Sequence, residues 1–347
     1  MNILIGSVGV CNYLGCVSPV YYVFKPIENE NIDFLNYVFQ LTEFQKELRK
    51  YASGILEIRL RLSASDILKR KVAFPSRKEQ NRIVECLSKK LDEVDKLIDV
   101  QQAQIDKLKE YKQSVITEAV TKGLDPTVPM KDSGIEWIGM IPENWSARKL
   151  KSICQIYGRI GFRGYKANDL VVEGEGAITL SPSNLKEMRM DYSKCSYLSW
   201  EKYFESPEIQ VNNGDILFVK TGSSFGKVAI VKALPQKATI NPQLIVVKNI
   251  KIDRRFLAYF LTTLLIRAQV NCSVVGGIIP TISQEKISNY WLIVPNDGEQ
   301  GQIVAYLDDK CAKIDKLIAI KQSKIGKLQE YKKSLIYEYV TGKKEVL

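Results

Sequence analysis

One stretch of this chain occurs twice: Gln300 to Lys343 repeats Gln80 to Gly123 at a shift of 220 residues without a gap. Ile83-Val84 matches Ile303-Val304, and Asp95-Lys96-Leu97-Ile98 matches Asp315-Lys316-Leu317-Ile318. Lys107-Leu108, Glu110-Tyr111-Lys112, Ser114, Glu118 and Val120-Thr121 recur in the same order from Lys327 to Thr341. The same shift carries upstream, pairing Ile32-Asp33 with Ile252-Asp253, Ser63 with Ser283, Ile67 with Ile287 and Pro75 with Pro295. Self-similarity at a fixed period means that one structural unit is used twice. Here the unit is a globular segment followed by a long helix.

Spacing alone dictates the helix. Val84, Leu87, Leu91, Val94, Ile98, Ile105, Leu108, Val115 and Ala119 advance in alternating steps of three and four, skipping only Gln101 and Lys112. That is the apolar seam of a coiled coil. The second copy gives Val304, Leu307, Cys311, Ile314, Ile318, Ile325, Leu328, Leu335 and Tyr339, with Lys321 and Lys332 at the same two gaps. Helices of ~40 residues, about 60 Å long, are expected. Pro75-Ser-Arg-Lys-Glu and Pro295-Asn-Asp-Gly-Glu supply helix-start chemistry. Two such helices in one chain, with a domain-sized insert between them, are each other's natural partners.

The insert, Met130 to Trp291, reads as mixed α and β. Ile216 to Val219, Val228 to Val231 and Leu244 to Val247 are short apolar runs of the kind that buried strands use. Arg254 to Val270 reads as one buried amphipathic helix. The expected class is α+β, with domains of mixed α/β character joined by two long antiparallel coiled-coil helices. The expected division is 1–79 for the later part of a first domain, 80–123 for the first helix, 124–299 for a linker and a complete second domain, and 300–347 for the second helix and tail.

Charge and missing chemistry narrow the function. Lys and Arg number 50 against 39 Asp and Glu, a formal charge of +11 that favours a polyanionic partner. The chain has no histidine, which removes Ser-His-Asp and Cys-His nucleophile systems and most zinc or iron sites. Cys11, Cys16, Cys86, Cys154, Cys195, Cys272 and Cys311 are odd in number, scattered and never in a CxxC pattern. They suggest neither a disulfide framework nor a zinc site, and fit a reducing cytoplasm. Neither a metal nor a cofactor is expected. Apolar runs such as Val274 to Pro280 fall short of the ~20 residues that span a bilayer, so no membrane partner is expected. Gly222-Ser-Ser-Phe-Gly226-Lys227-Val228 is one residue too short between its glycines for a phosphate-binding loop, and has Val where Ser or Thr should meet magnesium. Asn241-Pro242-Gln243-Leu244 lacks the second proline and the aromatic of an amino-methyltransferase motif, and is read as a proline turn before a strand. Gly174-Glu-Gly176 is read as a turn.

Several motifs coincide with one family. Lys131-Asp-Ser-Gly-Ile-Glu-Trp-Ile-Gly139, followed by Ile141-Pro-Glu-Asn-Trp145, resembles the opening of a target-recognition domain in specificity (S) subunits of type I restriction-modification enzymes. Gly214-Asp-Ile-Leu217 before a glycine turn, Ile303-Val-Ala-Tyr-Leu307, and Lys327 to Ile336 with its twin at Lys107 to Ile116 are similar to the same family. The resemblance spans essentially the whole chain. It implies a non-catalytic, DNA-binding subunit: each recognition domain reads half of a bipartite site in double-stranded DNA, and two antiparallel helices act as a ruler between them. It also implies partners, methyltransferase (M) subunits and through them motor-nuclease (R) subunits, which supply all chemistry. The start of the sequence departs from the pattern. Met130 precedes Ile252 by 122 positions but Met1 precedes Ile32 by only 31, so the first domain is expected to be N-terminally truncated by roughly 90 residues. Ile3-Leu-Ile-Gly-Ser-Val-Gly9 then resembles the strand and glycine turn of Ile216 to Gly226. Self-dimerisation is compatible with a partial first domain. Two other classes stay open: a standalone methyltransferase or nuclease, and a scaffold or decoy subunit that holds partners without reading a full site.

Contacts to DNA should come from basic, amide and hydroxyl side chains in glycine-bearing loops, because cations neutralise phosphates and forked donors read base edges. The foremost stretch is Tyr157 to Lys166, with Arg159, Arg163, Tyr165 and Lys166. Ser181, Ser183 and Asn184 follow, then Lys220, Thr221, Ser223 and Ser224, then Asn241 and Gln243. In the first domain the counterparts are Ser7, Asn12, Arg59 and Arg61. The helix lysines read as solvated flanks.

Overall fold

The computed structural model describes residues 8–19, 21–26, 30–52, 62–136, 138–222, 224–273 and 282–346. The chain divides into two compact units, one of Met1–Lys107 with Lys316–Leu347 and one of Leu108–Asp315.

In the first unit, α1 (Ile32–Gln40), α2 (Thr42–Arg49) and α3 (Ala64–Leu68) precede α4 (Arg77–Lys122), a single helix of 46 residues. Asn31 starts α1 by accepting the backbone N–H groups of Asp33 and Phe34, the side-chain capping that leaves fewer orphan donors. Phe34 and Val38 then pack against Ile83, Leu87, Leu91 and Val94 of α4, and against Leu335, Ile336, Tyr339 and Val340 of the C-terminal helix Asp297–Val340 (α10). Burying each such side chain contributes roughly 1.5–3 kcal/mol. Contacts across the pair run in opposite directions along the two helices. Lys332 Nζ reaches the two oxygens of Asp95 at 2.5 and 2.7 Å, and Lys321 Nζ reaches Gln104 Oε1 at 2.6 Å. Helices α4 and α10 are therefore antiparallel. One gap position of each heptad run is explained as well: at Lys332, and at Lys112 in the other copy, a lysine interrupts the apolar seam where an aspartate on the other helix answers it.

Each long helix carries the same clamp near its start. Gln80 Nε2 donates to Pro75 O at 3.0 Å while its Oε1 accepts Asn31 N at 3.0 Å. In the second unit, Gln300 Nε2 donates to Pro295 O at 2.9 Å and its Oε1 accepts Asp253 N at 2.8 Å. Asn31 and Asp253 are both helix caps, Asp253 capping α7 below. The pairing of Ile32-Asp33 with Ile252-Asp253 is thereby corrected: in structure Asn31 stands for Asp253, two residues off the shift that relates the long helices. Ser63 and Ser283, caps of α3 and of α9 below, return to the shift of 220.

The second unit opens with a small ladder of β1 (Met130–Asp132) on β2 (Met140–Pro142), then β3 (Ser146–Lys149), α5 (Leu150–Ile153) and β4 (Gln155–Gly158). After β5 (Leu170–Val171) and β6 (Gly176–Leu180) comes a hairpin of β7 (Leu185–Lys186) and β8 (Arg189–Met190). The chain continues through β9 (Ser196–Ser199), α6 (Trp200–Phe204), β10 (Ile216–Val219), β11 (Val228–Ile230), β12 (Ala238–Ile240) and β13 (Leu244–Lys248). It ends with α7 (Arg254–Leu261), α8 (Leu264–Ser273), α9 (Gln284–Ser288), β14 (Trp291–Val294) and the start of α10. One antiparallel sheet has the order β11-β10-β13-β4; a second has the order β12-β6-β9-β5, with β12 parallel to β6. Along β10 and β13 alternate side chains face opposite ways. Leu217, Val219, Leu244 and Val246 pack toward Ile178, Leu180 and Ile240 of the second sheet. Ile216, Phe218, Ile245 and Val247 pack toward α7, toward Val115 to Val120 of α4 and toward Ile303 to Cys311 of α10. With both faces covered, these strands need apolar residues at every position, which is why their sequences read as unbroken apolar runs.

The single helix expected over Arg254 to Val270 is two. The Thr262 hydroxyl donates to Tyr259 O and the Thr263 hydroxyl to Phe260 O, both at 2.7 Å, and these local bonds accompany the break between α7 and α8. Trp145 fastens the domain to its helices: buried at 1% exposure, it donates Nε1–H to Glu299 Oε2 at 2.9 Å. Gly123, at φ +83° just past α4, lies so close that a Cβ there would sit 3.3 Å from both the Trp145 ring and Glu299. In the same unit, Lys112 Nζ rests on the Asp315 oxygens at 2.6 and 2.7 Å, the repeat-mate of Lys332 on Asp95.

Candidate nucleic-acid interface

Strand directions bring the loops of the second unit to one rim. β6 and β12 run parallel and end together, Leu180 beside Ile240, and Asn241 N donates to Leu180 O at 2.8 Å. A turn closed by Asn241 Oδ1 on Gln243 N leads straight into β13, whose first residue faces the last residue of β10, Leu244 beside Val219. Gly158, the last residue of β4, lies beside Ile245 on the other side of β13. The segments after Gly158, Leu180, Val219 and Ile240 therefore converge, and these carry most of the polar residues that the sequence singles out.

Those residues divide by what they touch. Arg159 is only 5% exposed, and its guanidinium donates to Ile240 O (3.1 Å), Thr239 Oγ1 (3.1 Å) and Arg163 O (3.2 Å). Burial pulls its pKa below the ordinary arginine value. Arg159 braces the loop from inside, with the Tyr165 ring 5.2 Å away. Asn184, 3% exposed, accepts Ser181 N at 2.9 Å and donates to Asp191 O and Lys194 O. It shapes its turn from within. Arg163 is part-exposed, with Nη1 3.5 Å from Glu208. Lys166, Ser183 and Gln243 are exposed, and Tyr165, Ser181, Thr221, Ser224 and Asn241 are half-buried. Asn12 is exposed in the first unit, while Ser7, Arg59, Arg61 and Ser223 lie outside the described residues.

Lys220 differs from every other cation of the rim. Its backbone is fixed on both sides, N donating to Gln243 O at 2.8 Å and O accepting Ile282 N at 3.4 Å. Its half-buried ammonium forms no hydrogen bond or ion pair with any described residue, and burial lowers its pKa. Gly158 lies against it: a Cβ there would press on Ile245 at 3.2 Å and reach ordinary contact with Lys220 Nζ at 3.4 Å. The Gly222 and Gly226 turn that follows holds positive φ angles of +86° and +81°, conformations that glycine adopts without strain. Gln284, at the start of α9, was not singled out by sequence. Its Oε1 accepts Gly158 N at 3.0 Å and its Nε2 donates to Ile156 O, so it pins the end of β4. The contact spans 126 residues, and no local pattern around Gln284 announces it.

The rim thus offers an ammonium, amides and hydroxyls around glycine turns, a donor-rich surface suited to phosphate oxygens and base edges. Among the described residues no three His, Cys, Asp or Glu side chains group so as to hold a metal ion, and no helix is long and apolar enough to cross a membrane.

Comparisons with known proteins agree in kind. Residues 142–330 match the family described as type I restriction modification DNA specificity domain. The MjaVIII type I restriction enzyme specificity subunit of Methanocaldococcus jannaschii is 25% identical over 278 residues, 79% of this chain and 62% of that protein. The chain thus spans less than two thirds of that relative's length. Among solved structures, a chain from work on complex assembly and conformational transition of the type I R-M system superposes with a TM-score of 0.63 at 16% identity, covering 89% of this chain and 71% of that one. The HsdS subunit from Thermoanaerobacter tengcongensis has a TM-score of 0.46 at 16% identity, over 89% of this chain and 70% of that one.

Proposed function

The chain belongs to the type I restriction modification DNA specificity family, and from that premise we propose that it is a non-catalytic subunit that reads double-stranded DNA for a type I restriction-modification complex. The observation that carries this reading is the convergence of four polar loops on one rim of the second unit, with Lys220 unpartnered among the described residues. In this reading Arg163, Tyr165, Lys166, Ser181, Ser183, Lys220, Thr221, Ser224, Asn241 and Gln243 face the duplex. Arg159 and Asn184 hold the loops in shape. Phosphate contacts supply affinity and base contacts supply sequence.

The paired helices serve as ruler and platform. Leu97 and Val100 are each 49% exposed, and their repeat-mates Leu317 and Ile320 are 48% and 56% exposed. Apolar residues kept outside the seam in both copies support docking of a partner present in two copies, and methyltransferase subunits, with motor-nuclease subunits attached through them, are the proposed occupants. Co-purification with the methyltransferase subunit, followed by sequencing of methylated sites, tests the role. A bipartite motif is expected; absence of any motif would leave a scaffold that holds partners without reading. Inserting seven residues near Gln101 and seven near Lys321 keeps heptad register and should lengthen the unspecified spacer while leaving the half-sites unchanged. An unchanged spacer would remove the ruler.

A further inference from the structure

Taking the DNA-reading role above as its basis, we propose that Lys220 reads a guanine of the target, with Gly158 and Gln284 as the residues that position it. Phosphates are followed along a duplex by exposed cations, and Lys166 is exposed here. Lys220 is built otherwise. Both backbone polar groups are tied, the ammonium lies beside Gly158, and Gln284 fixes the end of β4 by accepting Gly158 N and donating to Ile156 O. A cation whose backbone is fixed at one point among strand ends suits one fixed acceptor, and contacts positioned in that way are the ones that specify.

The chemistry of the head group selects the base. An ammonium has three donors and no acceptor, so the amino groups that adenine and cytosine present in the major groove repel it. Guanine offers O6 and N7 side by side, two acceptors within reach of one ammonium, whereas thymine offers O4 alone beside its methyl group. Half-burial sharpens the choice, because an ammonium partly stripped of water and without a protein partner gains most from meeting acceptors. Arg159, the other buried cation of the rim, cannot take this role, since three protein acceptors already occupy it.

Selection of bound duplexes from a randomised pool by the full chain, read by sequencing, tests the proposal. The wild type should enrich a motif containing guanine. Lys220→Met should lose discrimination at that one base pair by roughly tenfold or more, leaving the other positions intact, while Lys220→Arg, which also forks onto guanine, should keep it. Gly158→Ala, whose methyl would press on Ile245 and touch the ammonium, should weaken preference at the same base pair only. Thermal unfolding of each variant monitors folding; should Lys220→Met unfold, Lys220→Arg and Gly158→Ala carry the test. A uniform loss over all sequences, with a salt dependence shallower by about one phosphate contact, would make Lys220 a phosphate ligand and overturn the proposal. An unchanged motif would overturn it too, and a wild-type pool without any motif would remove the DNA-reading role itself.

Discussion

Within the helical pair the ammonium of Lys112 rests on both oxygens of Asp315, and that of Lys332 on both oxygens of Asp95. At the strand-end rim Lys220 is also half-buried, yet it meets no described partner. The contrast separates two uses of a partly desolvated charge. An answered one fixes the relation of two elements, whereas an unanswered one lowers stability in isolation and is retained where something else will answer it. Arg159 belongs with the first kind although it lies at the rim.

The comparison can be broken most sharply at Arg159. Arg159→Ala should destabilise the fold by about 3 kcal/mol, because it removes three hydrogen bonds and leaves Thr239 Oγ1 only its bond to Ile209 O, and thermal unfolding will read it. Wild-type stability with lost DNA binding would return Arg159 to the contact surface. A smaller effect is expected in the helical pair. Asp315→Ala should cost about 1 kcal/mol, and Asp95→Ala less, since solvent screens Asp95 at 50% side-chain exposure more than Asp315 at 38%. Replacing Lys112 and Asp315 together by leucine should recover the loss, and failure to do so would mean that the pair does more than answer its own charges. The smallest effect should have the opposite sign. Lys220→Met should raise stability by about 0.5 kcal/mol at neutral pH. Its folded pKa is depressed, so the penalty that wild type carries is full below that lowered value. The penalty fades as pH rises toward the ordinary lysine value of 10.5, and the advantage of the variant should shrink with it in unfolding measured against pH.

Local periodicity made the long helices and central strands readable. Alternating steps of three and four residues placed both long helices, and unbroken apolar runs placed β10, β11 and β13, because those strands are covered on both faces. Features that depend on distant partners were not readable. The arginine at 159 carries the same local signature whether it points at solvent or at Thr239, and 80 residues of sequence separate it from that hydroxyl. Gln284 is similarly silent, since its role is defined by the backbone of β4. The break at Thr262-Thr263 did leave a local trace, two adjacent hydroxyl residues able to bond back onto the preceding turn. The apolar pattern on either side masked it.

The two-residue offset between the copies has a consequence for how such a chain can change in length. From Thr42, where α2 begins, to Ser63 is 21 positions, and from Leu264, where α8 begins, to Ser283 is 19. Before this interval the copies correspond at 222 and after it at 220, as the caps Asn31 and Asp253 and the caps Ser63 and Ser283 record. Two residues are about 200° of helical rotation, so the same insertion or deletion inside α1 or α4 would turn an apolar stripe toward water. Divergence in length between duplicated halves is tolerated least where a seam is being read, and in this molecule the offset falls between the starts of α2 and α8 and the caps Ser63 and Ser283.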